Sequence, residues 1–188
     1  MPEYRFTLIL DGVSEISTEL EDALFEAGCD DALLGGRDGV LFLDFDRVGD
    51  SLEEVLVAAI RDVESISAGL SVDRIEPDDL VTIAEAAQRL GRTRESVRLW
   101  VAGKRGPGSF PTPVSGLQRR MRLWRWAEIL SWAISNELVS ESRSPVEADT
   151  IAAVNAALQL RRFVPDRERG GRMLAELYRS LGRLRLVK

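Results

Sequence analysis

The spacing of apolar residues changes character once along this chain, and no other feature narrows the fold as much. Before Pro77, segments with a two-residue period alternate with amphipathic helices; from Thr82 on, the period is helical wherever one exists. In "EYRFTLIL" (3–10), Tyr4, Phe6, Leu8 and Leu10 share one face, as in a half-buried strand. "STELEDALFEAG" follows, with Ser17 or Thr18 as cap, acids in its first turn and Gly28 at its end, which is helix punctuation. "DALLGGRDGVLFLDFD" (31–46) predicts a hairpin turning near "GRDG". "DSLEEVLVAAIRDVESI" is a second amphipathic helix opened by Asp50 or Ser51, and "LSVDRIEP" is a strand stopped by Pro77.

The order strand, helix, strand, strand, helix, strand is the split β-α-β pattern of ferredoxin-like folds, which host many functions. After it, "TIAEAAQRL" is a short helix with Thr82 as cap, Glu85 completing a capping box and Gly91 at its end. "TRESVRLWVAG" starts a second helix at Thr93, so the pair fits a helix-turn-helix. Residues 103–124, rich in Gly and Pro, predict a two-stranded wing, and "RWAEILSWAIS" a third helix over 125–136. "SESRSPVE" (140–147) reads as a linker, followed by two amphipathic helices broken at Pro165. The expected fold class is therefore α+β: an acidic ferredoxin-like domain over 1–79, a winged helix-turn-helix over 80–138, and a helical hairpin over 147–186.

Charge is divided along the same lines. The net charge of −6 conceals 21 acids against 5 bases in residues 1–80, and 3 acids against 10 bases in residues 81–136. The partner of each segment is set by its local field, so the global balance misleads. The 188 residues contain no histidine and one cysteine, Cys29. Ser-His-Asp and Cys-His catalysis and histidine- or cysteine-only zinc sites are excluded, no cofactor is implied, and Cys29 reads as a small buried hydrophobe. No apolar run approaches the roughly 20 residues of a membrane span, and the N-terminus has no basic leader. A cytoplasmic, non-membrane protein is the expectation.

The helix "IAEAAQRLG", the turn and helix "RTRESVRLWV", the wing "FPTPV" and the closing "LWRWAEILSWA" together resemble the winged helix-turn-helix domains of the excisionase and AlpA type, relatives of the MerR regulators. The resemblance covers roughly residues 81–134 and implies a DNA-binding regulator. The residues support it independently. Val97, Trp100 and Val101 fall on one face of the second helix, which leaves Arg94, Glu95, Arg98 and Leu99 on or near the other. A recognition helix presents its N-terminal side chains to base edges; Arg94 and Arg98 suit guanine, and Glu95 a cytosine amino group. Thr93 and Ser96 are placed for phosphates near the helix start, with Arg92 in the preceding turn. Lys104 and Arg105 on one side of the wing, and Arg119, Arg120 and Arg122 on the other, are assigned to phosphate or minor-groove contact. Trp124, Trp126 and Trp132 read as core rather than as stacking platforms.

Other constellations carry less. Asp44 and Asp46, with Asp11 ending the first strand, sit where a ferredoxin-like sheet can bind two magnesium ions, but no phosphate-gripping loop or lysine accompanies them, so no enzyme and no metal site is expected. The stripe Met173, Leu174, Leu177, Tyr178, Leu181 and Leu184 either dimerises the chain or packs on its own N-terminal domain. The leading expectation is sequence-specific binding of double-stranded DNA by a homodimeric, bacterial-type transcriptional regulator. The alternatives are an excisionase-like architectural factor, or an adaptor such as an antitoxin whose acidic domain binds a protein partner.

Overall fold

The computed structural model describes residues 1–66, 69–116, 121–139, 144–164 and 166–184. The protein is mixed α/β, with seven helices among the described residues and a four-stranded antiparallel sheet. By packing it divides into two compact units, one of residues 1–6, 47–57 and 76–152, the other of residues 7–46, 58–75 and 153–188.

The sheet contains β1 (Glu3–Asp11), β2 (Ala32–Arg37), β3 (Val40–Val48) and β4 (Ser71–Glu76), in the order β2-β3-β1-β4. The alternation read on β1 is met in part: Phe6, Leu8 and Leu10 are buried and Tyr4 half-buried, but Ile9 on the other face is buried too; on β3, Leu41, Leu43 and Phe45 are buried. The hairpin turns at Asp38-Gly39, both at positive φ, with Arg37 opposite Val40; this two-residue turn matches the twist of its strands. Gly35 lies opposite Phe42, whose ring occupies the space a side chain at Gly35 would need. Helix α1 (Thr18–Glu26) is capped by Ser17, and the first turn of α2 (Leu52–Glu64) by Ser51.

The C-terminal segment begins earlier than expected. Helix α6 (Pro145–Phe163) starts inside the stretch read as a linker, with Pro145 in the first turn and the Ser144 hydroxyl accepting from the Glu147 N–H. Proline tolerates the first turn because that N–H has no intrahelical partner in any case. Residues 140–143 and Pro165 lie outside the described residues. The second half of α6 runs along β4, the outer strand of the sheet. The Asn155 side-chain amide is buried there; it accepts from the Ile75 N–H at 2.7 Å and donates to the Ile75 carbonyl at 2.9 Å. It thus replaces the neighbouring strand that an edge lacks. Arg161 forks onto Glu64 with two bonds of 2.7 Å and reaches the Val72 carbonyl at 3.0 Å, while Arg162 pairs with Asp73. Helix α6 therefore packs on its own chain. On α7 (Arg167–Leu184), Met173, Leu174 and Leu177 stay exposed; the side chains of Tyr178, Leu181 and Leu184 lie outside the described residues.

The other unit holds α3 (Ile83–Arg89), α4 (Arg94–Val101) and α5 (Trp126–Ser135) around one apolar cluster, with Val81, Ala86, Leu90, Val97, Trp100, Trp124, Ile129, Leu130 and Trp132 all buried. The tryptophans are core, as expected. Trp132 packs against Trp100 and, edge-on, against Phe110 with ring centroids 4.8 Å apart, contacts worth about 0.5–1.5 kcal/mol each beyond the area they bury. Their indole N–H groups pin the Gly/Pro-rich segment, Trp132 to the Gly108 carbonyl and Trp124 to that of Pro111. Gly106, at φ 87°, lies flat on Trp100, where a Cβ would sit 2.4 Å from the indole.

Part of the expected wing, residues 117–120, lies outside the described residues. Residues 102–114 are irregular, and the only strand pairing described within 103–123 is the bridge between Ser115 and Leu123. The short strand β6 (Trp124–Arg125) pairs instead with β5 (Leu80–Val81), a strand too short to show a period. Among the described residues, no helix is long and apolar enough to cross a membrane.

Candidate nucleic-acid interface

Helices α3 and α4 are each closed at both ends by local hydrogen bonds. Thr82 and Glu85 form a full capping box, the Thr82 hydroxyl accepting from the Glu85 N–H and the Glu85 carboxylate from the Thr82 N–H. Those bonds hold the Glu85 carboxyl below its ordinary pKa. At the other end Gly91 takes φ 65°, so its N–H reaches the Gln88 carbonyl and that of Arg92 the Ala87 carbonyl. This closure satisfies carbonyls the helix leaves open, and glycine adopts it without strain. Helix α4 ends in the same way at Gly103, with the Lys104 N–H on the Leu99 carbonyl.

Helix α5 has no cap of its own, since its preceding residue, Arg125, makes no capping bond. The cap comes from Asp79, 4% exposed. Its carboxylate accepts from the Ala127 N–H at 3.4 Å and from the Arg125 guanidinium at 2.9 Å, while its carbonyl accepts from the Trp126 N–H at 2.7 Å. A negative charge at a helix N-terminus also complements the helix dipole. Arg89 closes the same corner: it donates to the Asp78 carbonyl and lies 5.4 Å above the Trp126 ring, and burial lowers its pKa.

On this frame Arg94 and Arg98 of α4 and Arg122, just before the Leu123 bridge of the wing segment, line one open groove. Its remaining wall is Thr82, Ile83 and Ala84 of α3, Val101 and Ala102 of α4, and Met121 and Trp124. Three arginines and several apolar residues sharing one lining suit a ligand with anionic and apolar parts side by side. Arg94 is exposed and has no hydrogen-bond or ion-pair partner among the described residues.

The other expected site residues are disposed differently. The Arg98 guanidinium is held by Glu95, Nε and Nη2 each donating to one carboxylate oxygen at 2.7 Å. The pairing raises the Arg98 pKa and lowers that of Glu95. Thr93 caps α4 by accepting from the Ser96 N–H, and the Thr93 and Ser96 hydroxyls lie 2.8 Å apart. Arg92 does not line the groove; it donates to the Leu138 carbonyl at 2.8 Å, tying the end of α3 to the chain just after α5. Lys104 and Arg105 are exposed past the end of α4 and do not line the groove. Arg119 and Arg120 lie outside the described residues. The sequence pointed to neither Asp79 and Arg125 nor the apolar lining residues Ile83, Val101 and Met121.

Two of the three carboxylates of the alternative site make hydrogen bonds. Asp44 accepts from the Thr7 hydroxyl at 2.6 Å, and Asp11 from the Gly12 N–H. No group of three or more metal-ligating side chains is assembled among the described residues. No family model, curated protein or solved structure matches this chain.

Proposed function

We propose that the chain binds double-stranded DNA sequence-specifically through α3, α4 and the loop that includes Arg122, and acts as a transcriptional regulator in the cytoplasm. The observation that carries this reading is the convergence of Arg94, Arg98 and Arg122 on one groove beside α4. Arginines suit phosphates and guanine edges, and the apolar residues beside them suit deoxyribose and thymine methyl groups. Two short helices joined through Gly91, a Ser115–Leu123 bridge and a third helix support a winged helix-turn-helix of the excisionase and AlpA type. The order β2-β3-β1-β4, built from a β-α-β-β-α-β succession, supports a ferredoxin-like N-terminal half.

Met173, Leu174 and Leu177, all exposed on α7, support a homodimer through the C-terminal hairpin. A second reading, an adaptor whose acidic half holds a protein partner, is favoured by Phe25 at 68% and Leu33 at 70% exposure. An excisionase-like architectural role uses the same groove and differs in bending the duplex.

A salt titration of fluorescent duplex separates these readings. A DNA reader loses affinity linearly in log salt, with a slope of about 0.9 per neutralised phosphate. Arg94→Ala and Arg122→Ala should each lower that slope by about one. Salt-independent or absent duplex binding by the full chain overturns the reading and leaves the adaptor.

A further inference from the structure

The three arginines of the groove are not equivalent. Arg94 and Arg122 have no carboxylate partner among the described residues, whereas Arg98 has its Nε and Nη2 committed to Glu95. Glu95 lies three residues before Arg98 on α4, and both side chains are largely exposed, at 62% and 55%. The pairing does not bury charge and adds little to folding, as exposed ion pairs generally do. Its consequence lies in which ligand Arg98 accepts.

Resting on the duplex-binding reading above, we infer that Glu95 is a specificity-determining residue that lets Arg98 read guanine and denies it phosphate. A guanidinium carries five N–H donors in a planar fork. Glu95 takes the Nε–H and one Nη2–H, so both Nη1–H groups and the second Nη2–H stay open. That open end presents two parallel donors, which match the O6 and N7 acceptors of guanine. Guanine is neutral, so the carboxylate remains in place and orients the fork. A phosphate at the same end brings a full negative charge close to Glu95, and the like charges repel. It must either tolerate that repulsion or displace Glu95 from Arg98. Arg94 and Arg122 impose no such choice, so they take the backbone. The groove thereby divides positioning from reading among three side chains of one type.

The test is Glu95→Gln in the full chain, with binding to a site selected from random duplexes and to random duplex, each over a salt series. The substitution is isosteric and exposed, so the fold is retained. Random-duplex affinity at low salt should rise by about three- to ten-fold, and its salt slope should steepen by about one as Arg98 becomes a phosphate ligand. The ratio of selected-site to random affinity should fall about ten-fold, a loss that Arg98→Ala reproduces without the steeper slope. Unchanged random-duplex affinity and slope in Glu95→Gln overturn the inference. So does a changed base preference at one position with random affinity unaltered, since Glu95 would then be reading a base itself. If Arg94→Ala lowers the slope while Glu95→Gln does nothing, this inference alone fails. If the full chain shows no salt-dependent duplex binding, the duplex reading falls first.

Discussion

Replacing Asn155 by alanine should destabilise the protein far more than one polar side chain usually does. The amide is 7% exposed and serves both backbone groups of Ile75, at 2.7 and 2.9 Å. Without it the Ile75 N–H and carbonyl stay buried with no strand beside them, because β4 ends the sheet. An orphaned buried backbone group costs about 1–3 kcal/mol, so two cost about 2–4 kcal/mol once water reaches one of them in part. The ion pairs of Arg161 and Arg162 persist and keep α6 near its seat. Asn155→Leu is the decisive companion: it refills most of the volume, yet leaves both groups unpaired. Urea unfolding followed by circular dichroism should give nearly equal losses for the two variants, and hydrogen exchange at the Ile75 amide should accelerate in both. If leucine restores most of the stability lost with alanine, the loss came from packing rather than from an open edge. A cost under about 0.5 kcal/mol in both variants, with Ile75 still protected, refutes the reasoning.

Two further changes test the frame of the groove. Asp79→Ala should cost about 2–3 kcal/mol, from a lost helix cap plus a charge-assisted bond to half-exposed Arg125, and Asp79→Asn only about 1 kcal/mol, since asparagine caps as well as aspartate; tryptophan-monitored melting measures both, and equal losses would locate the effect in the charge. Glu137 sits at φ 56° in the turn that closes α5, its N–H on the Ile134 carbonyl, so Glu137→Gly should stabilise by about 0.5–1 kcal/mol, and a fall in melting temperature would refute that.

What the sequence disclosed follows from how far each interaction reaches along the chain. Ser17, the Thr82–Glu85 box and Thr93 act on N–H groups three residues away, so their caps were legible. The strands of the sheet were legible because a period of two needs only a half-buried face. Asp79 was not, because its partners Arg125 and Ala127 are 46 and 48 residues distant and nothing local marks an acid as a remote cap. Leu80–Val81 is too short for any period. Ser144-Pro145 did carry a helix-start signature, obscured by the polar run around it. Glu95 and Arg98 stand at pairing distance on a helix, yet residue type alone suggested two separate base contacts. That reading overlooked that opposite charges three apart find each other first.

On the proposed duplex-binding reading, these pairings set an expected number for the salt dependence. Ten bases in residues 81–136 suggest a slope of about nine if each meets a phosphate. Four of them have other engagements: Arg89 with Asp78 and Trp126, Arg92 with Leu138, Arg125 with Asp79, and Arg98 with Glu95. Arg94, Lys104, Arg105 and Arg122 have no partner among the described residues. These four, with Arg119 and Arg120 (outside the described residues) counted as phosphate ligands on sequence grounds alone, bound the slope per bound chain near five at about 0.9 each. The bonds of Arg89 and Arg125 belong to the corner that caps α5, so releasing them to phosphate would loosen that corner. A slope near five, together with unchanged melting of the Asp79–Arg125 corner on DNA, is the expected outcome. A slope near nine per chain would mean that these arginines leave the fold to bind, and that the frame described here is not the bound one.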